Sequence, residues 1–165
     1  MHLKSLPLNR KYLSAHTSIK IGGYVENFFT ASSLDGLKEA YGRWGNDFYL
    51  LGAGSNILAS DENISRPVVK LKGNFDYFHV DCFSVEAGGG TSFNLLLKEC
   101  LKNNVGGFEN LVGIPGTIGA MIAINAGAYK HTISDYLSAV EVFDRKSGIK
   151  RIEKSKIEFG YRSSS

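Results

Sequence analysis

Three glycine-rich segments hold the residues of this chain whose types and spacing suit ligand chemistry. The first, residues 52–57, reads GAGSNI after a short apolar run. It offers consecutive backbone N–H groups together with the side chains of Ser55 and Asn56, a composition that suits an anion cradle or a tight turn. It begins like a dinucleotide fingerprint, but its sixth position is Ile57, and a polar loop closed by Pro67 follows where a helix should. In the second segment, Gly88, Gly89 and Gly90 precede a helix capped by Thr91 or Ser92, either an anion site at a helix N-terminus or a strand-to-helix turn. The third, residues 106–129, reads GGFENLVGIPGTIGAMIAINAGAY, with Glu109 its one ionised side chain. Glycine loses conformational entropy and contributes no packing, so such a segment implies close approach of a backbone or of a flat ligand.

Spacing sharpens the third segment. If Pro115 opens a helical turn, Gly116, Ala120, Ala123 and Gly127 recur at i, i+4, i+7 and i+11 as a stripe without bulk, while Ile118, Met121, Ile122 and Ala126 enter a core. Close helix packing and a flat ligand both satisfy that pattern. Asn125 and Tyr129, hydrogen-bonding groups beside the stripe, favour the ligand. Near the end, Arg162 follows Tyr161 after a turn, and its planar guanidinium suits bidentate capture of a carboxylate or a surface ion pair. No glycine loop continues into a GK[ST] pattern, and no Ser/His/Asp, Cys/His or paired-carboxylate arrangement can be read. His2, His16, His79 and His131 are scattered singly, so no metal site is expected. The residues alone thus reach a binder of a flat, phosphorylated cofactor.

The elements that must position these groups can be read locally. Residues 25–30 form a strand, and Ser32 or Ser33 then caps a helix to Trp44 with Leu34, Leu37, Tyr41 and Trp44 buried. A strand at 48–51 enters the first glycine loop and a second strand follows at 57–59. The polar stretch 60–66, closed by Pro67, marks a boundary between two lobes, 1–66 and 67–165. Strands at 68–71, 77–80 and 84–87 precede a helix whose stripe is Phe93, Leu96, Leu97, Cys100 and Leu101, stopped by Asn103 and Asn104. Segments 140–143 and 149–152 pair around Lys146, Ser147 and Gly148, and a helical turn at 155–159 precedes Tyr161. Irregular alternation of strands and helices gives an α+β class.

Composition sets the outer limits. A chain of 165 residues with 43% hydrophobic and 21% charged residues is globular, one domain or two small lobes. Its formal charge of +3 is too small for a nucleic-acid footprint. The basic residues cluster only loosely, with Lys4, Arg10, Lys11 and Lys20 near the start and Arg145, Lys146, Lys150, Arg151, Lys154 and Lys156 near the end. Cys82 and Cys100 lack ligand spacing, and Cys100 belongs to a core stripe. No signal peptide or membrane-spanning run is read, so a cytoplasmic chain is expected.

Taken together, GAGSNIL, GFENLVGIPGTIGAMIAINAGAY and FGYRSS, with TSIKIGG at residues 17–23 as an entry strand, resemble the bacterial UDP-N-acetylenolpyruvoylglucosamine reductases over nearly the whole chain. The resemblance implies a two-lobed FAD-binding domain of the vanillyl-alcohol oxidase (PCMH) type over about residues 17–165. It implies that Gly52, Gly54, Ser55 and Asn56 hold the FAD pyrophosphate. Gly113, Ile114, Pro115, Gly116, Thr117 and Gly119 would then line the flavin and ribityl chain, and Asn125, Ala126 and Gly127 complete the wall. Arg162 matches the active-site arginine that holds the substrate carboxylate. The implied reaction is NADPH-dependent, FAD-mediated reduction of the enolpyruvyl group to UDP-N-acetylmuramate for peptidoglycan synthesis, with non-covalent FAD, a UDP-sugar substrate, no nucleic acid or membrane partner, and a monomeric full-length enzyme. The family's substrate domain, serine proton donor and C-terminal glutamate have no counterpart before Ser165, so a fragment is expected. Two competing readings are an isolated FAD module or part of a related flavin oxidase, and a non-enzymatic module whose basic C-terminal hairpin binds an anionic partner.

Overall fold

Val25, Phe28, Phe29 and Ala31, buried on both faces, build the strand on which the first unit is assembled. The computed structural model describes residues 9–165; Lys4 and His2 lie outside the described residues. The chain divides into two compact units, Met1–Phe75 and Asp76–Ser165.

In the first unit, strand β1 (Asn9–Tyr12) pairs antiparallel with β2 (Tyr24–Ala31), and helix α1 (Leu34–Trp44) then crosses to β3 (Tyr49–Leu51) and β4 (Val68–Leu71). The sheet order is β1-β2-β4-β3, with β2–β4 and β4–β3 parallel. Ser33 caps α1 as the sequence predicts, its Oγ accepting from the Gly36 N–H at 3.2 Å. One sheet face buries Phe28, Val68 and Leu51 with Leu13. On the other, Phe29 meets Trp44 edge-on, and Leu37 and Ala40 are the buried residues of α1. Tyr41 and Trp44, expected inside, are half-buried and border Phe48 instead.

Two expectations fail here. Residues 57–59 form no strand, and Leu58 is 82% exposed. Nor does Pro67 divide the chain: its carbonyl accepts from the Tyr49 N–H at 2.8 Å, β4 is an inner strand of the first sheet, and Ile64 bridges β2 with its N–H on the Tyr24 carbonyl. The division falls after Phe75 because residues 60–71 are tied by these ladder bonds into the first unit.

The second unit begins with the antiparallel pair β5 (Phe78–Val80) and β6 (Val85–Ala87), followed by α2 (Phe93–Lys102). Helix α3 (Ile118–Ala123) comes next, then the short pair β7 (Gly127–Ala128) and β8 (His131–Thr132). The predicted hairpin forms as β9 (Ala139–Asp144) and β10 (Gly148–Glu153), where Asp144 Oδ1 accepts from the Lys146 and Ser147 N–H groups. A last pair, β11 (Phe159–Gly160) and β12 (Ser163–Ser164), encloses Tyr161 and Arg162. The core joins Phe93, Leu96 and Cys100 of α2 to Leu111, Ile118, Met121, Ala126 and Ile133. Cys100 is buried as expected, but Leu101, placed in the stripe, is 74% exposed.

Both helices of this unit end alike. Asn104 and Asn125 sit in left-handed conformation, φ 55° and 42°. Val105 N–H bonds back to the Cys100 carbonyl and Ala126 N–H to Met121, while Asn104 N–H reaches Leu101 and Asn125 N–H reaches Ile122. That pair of bonds is the Schellman motif, which stops a helix at an αL residue. Among the described residues, no helix is long and apolar enough to cross a membrane.

Candidate functional site

In the first unit, β3 delivers the chain directly into residues 52–56. Gly54 is buried with φ +70°, and a Cβ there would stand 2.0 Å from the His16 carbonyl oxygen and 2.9 Å from Thr17 Cα. Only glycine permits this approach. The contact is fixed by the Ser18 N–H donating to the Gly54 carbonyl at 2.9 Å. Gly52 and Ser55 are half-buried beside it, and Asn56 is exposed. The segment it leans on, residues 17–23, is a turn rather than the expected entry strand: Lys20 has φ 58°, Thr17 Oγ1 bonds to the Ile21 carbonyl at 2.8 Å, and β2 starts only at Tyr24.

His16 stacks on Phe28 at 4.5 Å, and the Lys11 ammonium lies 4.9 Å from the same ring. Burial, then the charges of Lys70, Lys11 and Lys20, hold the imidazole below its usual pKa. The glycine loop is therefore clamped to the backbone of a residue whose side chain feels the charges of Lys70, Lys11 and Lys20. Lys11 and Lys20 stand out in the sequence as basic residues near its start, whereas Lys70 arrives from β4 and no local window could have brought it here.

In the second unit the proposed stripe does not form. Helix α3 runs for 6 residues, so Gly116 lies before its N-cap Thr117 and Gly127 lies in β7 beyond its stop. Most of these glycines serve contacts within the protein. A Cβ at Gly119 would meet the Gly89 carbonyl oxygen at 2.9 Å, one at Gly127 the His131 carbonyl at 2.2 Å, and one at Gly116 the Met121 side chain at 3.0 Å. The N-terminus of α3 is likewise occupied, with Ile118 N–H on the Thr91 carbonyl and Gly119 N–H on the Gly89 carbonyl, both at 2.9 Å. Ser92 bridges Thr117, and Phe93 N–H reaches the Gly116 carbonyl. The triple glycine is thus a strand-to-helix turn that packs two helix starts together. Glu109 closes a turn too: both its carboxylate oxygens accept from the Gly107 N–H, and that bond holds its pKa down.

Gly113 differs from them. With φ +89° and nothing within 4 Å of an added Cβ, it presents bare backbone to open space. Ile114 next to it is half-buried and Pro115 exposed.

The structure joins the far end of this segment to the arginine turn. Asn125, 7% exposed, donates from Nδ2 to the Gly160 carbonyl at 3.0 Å and accepts at Oδ1 from the Ser134 N–H at 3.4 Å. Ser164 Oγ donates to the Ala123 carbonyl at 3.1 Å. Arg162 is exposed in the two-residue turn between these anchors, in left-handed conformation (φ 56°), with its guanidinium 5.7 Å from the Tyr161 ring. Ala126 is buried in the core and Gly127 half-buried. Tyr129 is 84% exposed, and it and Lys130 form a second tight turn with both φ positive. The sequence marks Tyr129 as a polar neighbour of the stripe, whereas its left-handed turn is set by the fold.

Comparison with known proteins turns this geometry into a family assignment. Residues 37–153 match the family described as FAD binding domain. The chain belongs to that family. Curated relatives of this FAD-binding chain are named UDP-N-acetylenolpyruvoylglucosamine reductase. One from Fervidobacterium nodosum is 37% identical over 92% of this chain and 50% of its own length, and one from Clostridium botulinum is 33% identical over the same shares. The crystal structure of UDP-N-acetylenolpyruvylglucosamine reductase (MurB) from Thermus caldophilus superposes with a TM-score of 0.82 at 31% identity, covering 97% of this chain and 57% of that one. The FAD-binding chain thus spans about half the length of the curated relatives it matches. The residues present fit the cofactor. The first unit supplies a glycine turn with the Ser55 hydroxyl and Asn56 amide, donor chemistry that suits a diphosphate; within the second unit, by itself, Gly113 has no protein atom within 4 Å of an added Cβ.

Proposed function

We propose that this chain is the FAD-binding part of a UDP-N-acetylenolpyruvoylglucosamine reductase, acting in the cytoplasm in peptidoglycan synthesis with NADPH as reductant. The two units serve as the lobes of a PCMH-type FAD domain. In this reading Gly52, Gly54, Ser55 and Asn56 hold the pyrophosphate, and Gly113, Ile114, Pro115, Gly116 and Thr117 border the flavin. Gly119, Ala126 and Gly127 support that wall from within through their own close packing. FAD, when bound, supplies the hydride chemistry between NADPH and the enolpyruvyl double bond. Arg162 binds the substrate carboxylate and offsets the negative charge that develops on it, a role whose removal costs about 3–4 kcal/mol of transition-state stabilisation.

The observation that carries the reading is that the arginine turn is built on the end of the glycine-rich segment, through the Asn125–Gly160 and Ser164–Ala123 bonds. The names of the relatives, at 33–37% identity, support the same substrate class. The test is titration of the chain with FAD, followed by quenching of flavin fluorescence. Saturable uptake, weakened in Gly113→Ala, is expected; a chain that leaves the fluorescence of added FAD unchanged refutes the proposal.

A further inference from the structure

A helix stop at the C′ position is best filled by glycine, which adopts positive φ without strain, and asparagine is the second choice. Asn104 fills that position after α2 and is exposed. Asn125 fills it after α3, but its side chain is buried and both its ends are engaged. Nδ2 donates to the Gly160 carbonyl, 35 residues on, and Oδ1 accepts from the Ser134 N–H. Gly160 immediately precedes the Tyr161–Arg162 turn and pairs with Ser163 across it. The backbone of Asn125 therefore needs only αL conformation, which glycine would give more cheaply, whereas its amide links the helix end to the arginine turn.

That turn has much to lose. Arg162 holds a left-handed conformation that side chains rarely adopt, at a cost of order 1–3 kcal/mol, and such strain persists only where surrounding structure over-determines it. The strand pair beneath it is two residues on each side. A two-stranded ribbon of that length is not stable by itself in water. The Ser165 N–H on the Glu158 carbonyl and the Glu158 N–H on Ser165 Oγ extend the ribbon by one more pair, and among the described residues the side-chain hydrogen bonds that tie it to the rest of the unit are those of the Asn125 amide and the Ser164 hydroxyl.

We infer that Asn125 is a positioning residue for Arg162: its amide holds the arginine turn in its strained form, and the residue does not itself form part of the flavin wall. The assignment of a reaction to Arg162 rests on the proposed function, but the tether itself does not.

Two variants separate the tether from the helix stop. Asn125→Gly keeps or improves the stop and removes both side-chain bonds. Asn125→Asp keeps the acceptor for Ser134 and tolerates αL, but its carboxylate cannot donate to the Gly160 carbonyl. Amide hydrogen exchange is measured on the whole chain. In both variants at neutral pH, the amides of residues 159–165 are expected to exchange on the order of tenfold faster, the effect of losing one buried hydrogen bond. The amides of α2 and α3 keep their protection. In Asn125→Asp, after correction for intrinsic exchange, the loss reverses as pH falls through the carboxyl range near ~3.9, where the protonated acid regains a donor. Unchanged exchange at 159–165 in both variants overturns the inference. So does loosening of α3 together with the turn, or an Asp variant whose defect ignores pH, since each outcome marks Asn125 as packing alone. FAD uptake by the unmodified chain is scored separately: its failure removes the reductase reading and leaves the tether result standing.

Discussion

Replacing Gly54 with alanine tests the most demanding contact in the first unit. The added Cβ would sit 2.0 Å from the His16 carbonyl oxygen, where ordinary contact begins at 3.4 Å, and both obstructing groups are backbone. The loop must therefore separate from residues 16–18, breaking the Ser18 N–Gly54 O bond, a loss of about 1 kcal/mol. The φ of +70° adds about 1–2 kcal/mol for a residue bearing a Cβ. Together these give a destabilisation of about 2–3 kcal/mol before any strain left in the displaced loop, a large share of the ~5–15 kcal/mol that holds a typical domain. Urea unfolding of the Gly54→Ala chain should show a lower midpoint with an unchanged m-value. Gly113→Ala is the control: its φ of +89° carries a similar conformational cost, but nothing stands within 4 Å. It should be the milder change for stability and the one whose added methyl intrudes on bound flavin. If Gly54→Ala unfolds within about 0.5 kcal/mol of the unmodified chain, the close approach to His16 is wrong.

Further consequences follow from the same geometry. Gly42 lies within α1 with nothing within 4 Å of an added Cβ, so Gly42→Ala should stabilise the chain by about 0.5–1 kcal/mol in urea unfolding. Arg162→Gly relieves the left-handed strain and should slow amide exchange in the β11–β12 pair, while reduction of the enolpyruvyl substrate by the complete enzyme is lost; faster exchange would show that the arginine side chain stabilises the turn. His16, half-buried, has its pKa lowered from 6.5 by that burial and by the charges of Lys70, Lys11 and Lys20. The unfolded chain therefore takes up this proton first as pH falls, so the stabilisation is complete above ~6.5 and is lost as pH drops towards the folded value. Urea midpoints should decline as pH falls below about 6.5, and His16→Gln should flatten that slope; parallel slopes would contradict it.

Much of the local structure was legible because the signals were local. Ser33 caps α1 and the helix runs to Trp44, the β9–β10 hairpin closes around its turn residues, and the α2 stripe buries Phe93, Leu96 and Cys100. What was not legible depends on partners distant in sequence. Pro67 looks like a boundary because it ends a polar run, yet the strand after it sits between β2 and β3 in parallel pairing. Parallel neighbours must come from beyond a crossover, so no turn residue announces them. Residues 57–59 were apolar enough for a strand but found no ladder, and Leu58 faces solvent.

The glycine-rich segment shows a subtler failure. Reading Gly116, Ala120, Ala123 and Gly127 as one stripe extended the helical period across Asn125, the residue that stops the helix. The stop is readable: Asn103 and Asn104 after an apolar stripe mark a helix end, and Asn125 follows the apolar run of α3 in the same way. Applied evenly, that rule would have confined the helix to the residues before Asn125 and left Gly127 to a strand. The loss of the stripe does not remove the cofactor reading, because absence of bulk serves two purposes here. At Gly54, Gly119 and Gly127 it lets backbone meet backbone within the protein; at Gly113 it leaves space outside it. Sequence composition records only that side chains are missing. Whether a neighbouring carbonyl or a ligand fills the gap is decided by the fold, and here Gly113 is the position among the proposed flavin contacts where the protein itself leaves the gap open.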